Sequence, residues 1–335
     1  MKISKYTKQM NRNAFVWSCF VMTFFSACQQ EEHEMSQANE WQMSIVASIK
    51  GQKNALNSRY AGDDPSNVVF EETDGIGVFI DDAPALEWTY GESGWSANQT
   101  VYWPDKTKDH TFCAFYPYAE ASSTANVPMP SLMSQTGTME SISACDFLVA
   151  TVTQSYGVDG VVNFQEENAF THVSSLLQLT FKGDNDLSSS ILKKISVNGE
   201  GILAPATYSF TTKEVTLTPD ESSDLLEVDL NHEMGGNDAT FYFILNEKLD
   251  ASSIVTLTVE YETGGKTYVA QLENLAGNVL TGGMRHRYTL SIKDSSLIIA
   301  GSSISAWDEG GSLDPAHAPP RPAGRRDPWS HGPSC

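Results

Sequence analysis

The chain has 335 residues, with 21 basic and 42 acidic side chains and a formal net charge of −21. Such an acidic surface repels nucleic acid and anionic lipid headgroups, so the composition argues against a nucleic-acid partner. Hydrophobic residues make up 40% of the chain, which is enough to build a core, and the length suggests about two domains.

The N-terminus has the features of a secretory signal peptide. Four basic residues within the first twelve precede an almost wholly apolar run, Ala14–Phe25. A basic region followed by a short apolar region and small residues is typical of a cleaved signal. A membrane-spanning helix needs roughly 20 apolar residues, and this run is shorter. We therefore expect residues 1–27 to be removed from the mature protein.

Cys28 stands at the end of the predicted signal peptide, directly after Ser26 and Ala27. This order resembles the bacterial lipobox, in which the cysteine is lipidated and becomes the mature N-terminus, although Phe25 stands where Leu is more frequent. Cleavage of an ordinary signal peptide near Ala27 is the alternative. The segment 28–40 is polar and acidic, as expected of a tether between a lipid anchor and a folded body. It also resembles the surface-export signal of Bacteroidetes lipoproteins, which implies a surface-exposed lipoprotein of the outer membrane.

The rest of the chain has the pattern of β-strands. Short segments rich in Val, Ile, Thr, Phe and Tyr are separated by Gly, Asp, Asn and Ser, and helical periodicity is weak throughout. The segment Ile254–Leu272 predicts a hairpin, because apolar residues alternate on both sides of a turn at Gly264-Gly265. The pattern predicts an all-β protein of antiparallel sheets, each packed on one face.

Composition also divides the chain. A polar stretch, Lys182–Ser190, predicts a boundary between an N-terminal β-sandwich domain at 41–184 and a C-terminal one at 185–312. After Leu313 the composition changes to Pro, Arg and His. Residues 313–335 are therefore expected to be a disordered tail or an end of non-native origin.

Several segments, taken in order, resemble the fimbrillin family of Bacteroidales surface lipoproteins. The resemblance covers roughly residues 40 to 312 and rests on segments that include DGIGVFI (Asp74–Ile80), VYWPDKTKDHTFCAFYPY (Val101–Tyr118), DFLVA (Asp146–Ala150), FTHVSSLLQLTFKG (Phe170–Gly183), GNVLTGGMRHRYTLSIK (Gly277–Lys293) and ISAWDEGGS (Ile304–Ser312). It implies two transthyretin-like antiparallel β-sandwich domains in tandem. It also implies a structural or adhesive subunit, or an anchor, of surface fimbriae (type V pili) used in adhesion and biofilm formation.

The resemblance implies partners and an assembly mechanism as well. The partners are other fimbrial subunits, the outer membrane through the lipid anchor, and a surface ligand on host or bacterial cells. In such pilins an arginine-specific protease cuts the precursor and the first strand is lost. A strand of the next subunit then fills the open groove, and its main-chain hydrogen bonds provide affinity.

Residues of this chain can be placed in that mechanism. The segment Gln42–Lys50 alternates, so that one face carries the groove-filling side chains Met43, Ile45, Ala47 and Ile49. Arg59 lies in the polar loop that follows and is the candidate processing site; a solvated arginine beside a permanent strand is the alternative. A candidate donor strand contains Leu297, Ile298 and Ile299, which fit the last strand of the second domain equally well.

Motifs of catalysis are absent from the sequence. It has no GxSxG, HExxH or P-loop, and its histidines are scattered, so we expect no catalytic activity, no cofactor and no metal.

A surface carbohydrate-binding lipoprotein is the alternative function. Trp88, Trp95 and Trp103 would then form a sugar-stacking surface, although a position as half-buried aromatic residues of the β-sandwich fits them better. Cys113 and Cys145 could form a disulfide or remain buried free thiols.

We predict that the mature protein begins at a lipidated Cys28. Metabolic labelling with a fatty-acid probe should mark the wild-type protein and should leave a Cys28→Ala variant unmarked, because only the thiol can carry the diacylglycerol. Equal labelling of the two proteins would contradict the prediction.

Overall fold

The computed structural model describes residues 41–51, 65, 68–184, 187–220, 223–294 and 296–308. About half of these residues lie in strands, and the helices are one short α-helix, α1 (Met139–Ser143), and 3₁₀ helices at Glu166–Asn168 and Leu275–Asn278. All the strands belong to the compact unit that begins at Met43. The first nine are β1 (Ser44–Ala47), β2 (Gly75–Ile80), β3 (Leu86–Gly91), β4 (Gly94–Ala97), β5 (His110–Tyr116), β6 (Val127–Pro128), β7 (Leu148–Gln154), β8 (Val161–Phe164) and β9 (Thr171–His172).

The remaining ten strands form most of the second half of the described chain. They are β10 (Ser175–Phe181), β11 (Ile191–Asn198), β12 (Ala206–Ser209), β13 (Glu214–Leu217), β14 (Leu225–Glu233), β15 (Ala239–Leu245), β16 (Thr256–Thr263), β17 (Lys266–Leu272), β18 (Met284–Lys293) and β19 (Ser296–Ala306). The predicted all-β class is confirmed. Two strand pairs, β1 with β8 and β10 with β18, are parallel, and the other ladders between these strands are antiparallel.

The first large sheet has six strands in the order β4-β3-β2-β5-β7-β9. Alternate residues of its strands point to one face and join the main core, as Ile76, Val78, Phe112 and Ala114 do. The buried side chains of β1 and β8 belong to the same core cluster, and the short β1–β8 pair contacts β4 and β7 of this sheet.

The opposite face of this sheet is covered too, so the prediction that each sheet packs on one face is wrong here. Phe79 packs edge-on against Phe210 at a centroid distance of 6.1 Å, and Phe147 lies 5.9 Å from Tyr208. The second-half strand β12 reaches this face because it pairs with β6 and with β13 in a three-stranded sheet. The central strands β2 and β5 are therefore buried almost continuously, instead of on alternate residues.

The second half contains two four-stranded sheets, in the orders β15-β10-β18-β19 and β14-β11-β16-β17. The predicted hairpin is confirmed as β16 and β17, with its turn at Gly264-Gly265. Strand β10 lies before the predicted boundary at residue 184, yet it pairs with β15 and β18 of the second half. The division into domains at 41–184 and 185–312 stays a prediction.

Cys113 and Cys145 are free thiols in the structure, and both are buried. Burial raises the pKa of the Cys113 thiol, and burial together with the neighbouring Asp146 carboxylate raises the pKa of Cys145 to about 11. Thiolates, which are the reactive form, are therefore disfavoured at both positions.

The cross-strand pair Gly77–Phe115 gives a stability prediction, because the Phe115 ring lies over the glycine. A Cβ at residue 77 would come within 2.2 Å of that ring, so Gly77→Ala must displace a side chain in a packed core. We expect a loss of about 1–3 kcal/mol of unfolding free energy, measured by chemical denaturation. The matched control is Gly91→Ala, where a Cβ meets no atom within 4 Å; similar losses in both variants would contradict the packing argument.

Candidate strand-exchange groove

Strand β1, the candidate groove-filling strand, is buried on one face and paired along one edge with β8. The pairing is parallel and in register from Ser44, opposite Val161, to Ala47, opposite Phe164. Among the described residues, β1 is the one strand that pairs with β8. The edge of β8 thus depends on β1 for its ladder.

Main-chain groups from two other segments hold the start of β1. The Met43 N–H donates to the Val101 carbonyl at 2.8 Å, and the Ser44 N–H donates to the Gly160 carbonyl at 3.2 Å. The Gly160 carbonyl also accepts a hydrogen bond from Trp103 Nε1 at 2.8 Å. The Trp103 indole therefore fixes the residue that precedes β8 and receives the start of β1.

The end of β1 is held by a second set of main-chain bonds. The Ser48 N–H donates to the Phe164 carbonyl at 3.0 Å, and the Lys50 N–H donates to the Phe170 carbonyl at 2.8 Å. The Phe170 N–H returns a bond to the Ser48 carbonyl at 2.9 Å. Because these contacts involve backbone atoms alone, a different sequence in an extended conformation could make them equally well.

The side chains of this segment divide between two faces, with the alternation that the sequence shows. Met43, Ile45 and Ile49 are 2%, 5% and 1% exposed and belong to the main core, and Ala47 is partly buried against it. On the other face, Val46 is 36% exposed. Burying a Met or Ile side chain fully is worth ~1.5–3 kcal/mol, so the three apolar anchors together contribute several kcal/mol.

The tryptophans considered as a sugar-stacking surface have other positions in the structure. Trp88 and Trp103 are buried, and Trp95 is partly buried between Phe70 and Tyr90, at centroid distances of 4.9 and 5.1 Å. Two of the three indoles are therefore not exposed. The role of Trp103 beside the groove was missed by the sequence reasoning, because its partner is a backbone carbonyl 57 residues away.

The candidate donor residues lie in β19, the last described strand. Leu297 is buried, whereas Ile298 and Ile299 are exposed. All three pair with β18 in the antiparallel ladder. They therefore lie far along the chain from the groove strand and occupy an edge of the second-half sheet.

Two predicted modification sites fall outside the described residues. These are Cys28, the expected lipidation site, and Arg59, the expected processing site. The expected signal peptide at 1–27, the tether at 28–40 and the tail at 313–335 lie outside them as well. Within the described ranges, no helix is both long enough and apolar enough to cross a bilayer.

Two buried histidines lie beside carboxylates at separate places, His110 beside Asp81 and Asp105, and His172 beside Asp146. His110 Nδ1 lies 2.6 Å from Asp81 Oδ2, and His172 Nδ1 lies 2.9 Å from Asp146 Oδ1. Burial lowers the pKa of His286 to about 4. No group of three or more His, Cys, Asp or Glu side chains suited to a metal ion occurs in the described part of the chain.

Comparisons with known proteins agree with this architecture. A solved structure of a candidate cell adhesion protein from Bacteroides uniformis is 17% identical over 80% of this chain and 98% of its own, with a TM-score of 0.56. A second such protein, from Bacteroides ovatus, is 16% identical over 79% of this chain and 97% of its own, with a TM-score of 0.53. No curated protein matches the sequence.

At these identities the two solved structures support the fold alone. The sequence model of the family described as fimbrillin-like matches residues 59–307, which is well over half of the chain and agrees with the motif resemblance. The chain therefore belongs to the fimbrillin-like family.

Proposed function

We propose that this protein is a structural or adhesive subunit, or an anchor, of cell-surface fimbriae, and that it assembles by exchange of β1. The single observation that supports the exchange best is the way in which β1 is bound. Three apolar side chains enter the core, and main-chain hydrogen bonds hold the backbone of the segment at both ends. A strand bound in this way can be replaced by another extended segment that carries apolar residues at alternate positions.

Loss of β1 would create an acceptor site for a strand of another subunit. The edge of β8 would lose the partner that it has in the described structure, and the space of Met43, Ile45 and Ile49 would open onto apolar core. An unpaired strand edge beside an apolar groove is a template for strand addition. A strand from another fimbrial subunit would restore both the ladder and the buried contacts.

The proposal also includes proteolytic cleavage of the chain and its lipid anchoring, both of which are inferred from the sequence. Cleavage after Arg59 would separate β1 from the rest of the chain, because this residue lies between β1 and β2. A lipid on Cys28 would hold the uncut protein at the outer membrane through residues 28–40. A cut subunit would extend the fimbria, and an uncut one would act as its anchor, with surface ligands of host or bacterial cells bound by the assembled fibre.

The two faces of β1 give a matched pair of variants. We expect Ile45→Asp to loosen the strand, because it places a charge among buried apolar side chains. Val46→Asp adds the same charge one residue away on the exposed face and should behave as wild type. Light scattering after size-exclusion chromatography should show oligomers for the Ile45→Asp protein alone. Identical oligomeric states in all three proteins would show that β1 does not fill an exchangeable groove.

Cleavage by an arginine-specific protease tests the trigger. Under native conditions we expect one early cut after Arg59, followed by growth of higher oligomers, because the released strand leaves an acceptor groove. An Arg59→Lys variant is the control, since it keeps the charge and removes the site. Growth of oligomers from the control at the same rate, or early cleavage at other arginines alone, would contradict this trigger. A cut product that stays monomeric with β1 bound would indicate an anchor or cap of the fimbria and not a polymerising subunit.

A further inference from the structure

The residues at the end of β19 contact the segments on either side of β1 in the chain. Trp307, the residue after β19, is 1% exposed, and its Nε1 donates a hydrogen bond to the Pro65 carbonyl at 3.1 Å. Its backbone N–H donates to the Gly283 carbonyl at 2.9 Å. Trp307 is therefore bound through its backbone to the residue before β18 and through its indole to a residue that follows β1.

The indole also stacks on a histidine that is itself fixed. The rings of Trp307 and His172 lie 4.0 Å apart with an interplanar angle of 9°. Asp146 is buried and holds His172 through Nδ1 at 2.9 Å. His172 follows Phe170 by two residues, and Phe170 makes the reciprocal main-chain bonds with the end of β1. One short segment, Phe170–His172, thus binds both the end of β1 and the end of β19.

Asp308 adds direct contacts to the end of β1. Its carboxylate lies 3.3 Å from Lys50 Nζ. A Cβ on Gly51 would come within 2.6 Å of the Asp308 carbonyl oxygen, so the two backbones pass each other too closely for a side chain. Trp307 and Asp308 together therefore contact residues on both sides of 52–64, namely Lys50, Gly51 and Pro65.

We propose that Trp307 and Asp308 form a C-terminal latch, which retains β1 in its groove until the end of β19 moves away. This inference rests on the proposed function, since it assigns a regulatory contact to the same strand. The ladder of β1 spans only four residues, so its end depends on the Phe170 contacts that the latch supports. The chain can then be cut between β1 and β2 and still keep β1 bound. Release becomes a second step, favoured by a partner that displaces the C-terminal end.

Hydrogen exchange measured by mass spectrometry on the purified protein tests the latch. The readout is the exchange rate of amides in residues 43–50 relative to those of the core strand β5. We expect Trp307→Ala to raise this ratio at least tenfold. Trp307→Phe should raise it less, because the phenyl ring keeps the stacking and loses only the hydrogen bond to Pro65. The matched control is Leu297→Ala, a buried position at the opposite end of β19, which should leave the ratio at the wild-type value.

An unchanged ratio in Trp307→Ala would overturn the proposal, as would an equal rise in Leu297→Ala. If the alanine variant unfolds as a whole, Trp307→Phe decides: a raised ratio supports the latch, and a wild-type ratio overturns it.

Capture of a labelled peptide with the sequence of residues 42–50 separates the latch from strand exchange. Peptide uptake that is faster in Trp307→Ala supports both proposals. A raised exchange ratio with no uptake in any variant, Ile45→Asp included, supports the latch and contradicts exchange of β1. Equal uptake by wild type and Trp307→Ala, with an unchanged ratio, supports exchange and contradicts the latch.

Discussion

The main-chain pairing of β1 with β8 is the contact on which the rest of the site depends. It brings together a strand near the start of the described chain and a strand more than a hundred residues later. Val101, Gly160 and Phe170 supply further carbonyl groups to the same segment. Because the partners are backbone atoms from several places, the binding site of β1 exists only where the fold brings these segments together. The groove is thus a property of the folded body and not of β1 itself, which is the condition for exchanging one strand for another.

The alternation of apolar residues predicted the parts of the fold that depend on local geometry. In β16 and β17 it identified both strands and the Gly264-Gly265 turn, since antiparallel neighbours joined by a tight turn have a fixed register. In the segment that contains β1 it separated the buried face of Ile45 from the exposed face of Val46. These assignments depend only on the two-residue alternation of side chains along a strand, so they can be made from a single sequence.

Contacts between segments that are distant in the chain could not be predicted from this alternation. Strand β2 lies between two apolar layers because Phe210, which follows β12 in the second half, packs against Phe79 on its outer face. The pattern of apolar and polar residues in β2 does not indicate which distant segment will pack against it. The parallel pairing of β10 with β18 has the same origin. Trp103 and Trp307 act on the groove through hydrogen bonds to backbone carbonyls, which carry no signature in the partner's sequence.

Charge adds a constraint on how such a groove can be used. Copies with a formal net charge of −21 repel one another, and at physiological ionic strength this repulsion is screened beyond about 8 Å. Long-range attraction therefore does not guide one copy to another, and any exchange must rest on short-range contacts. Those contacts are a backbone ladder, which tolerates many sequences, and three apolar pockets, which demand a spacing of residues. Affinity without selectivity would leave an open groove vulnerable to any extended chain, so a strand that stays in place until a specific partner arrives is an advantage.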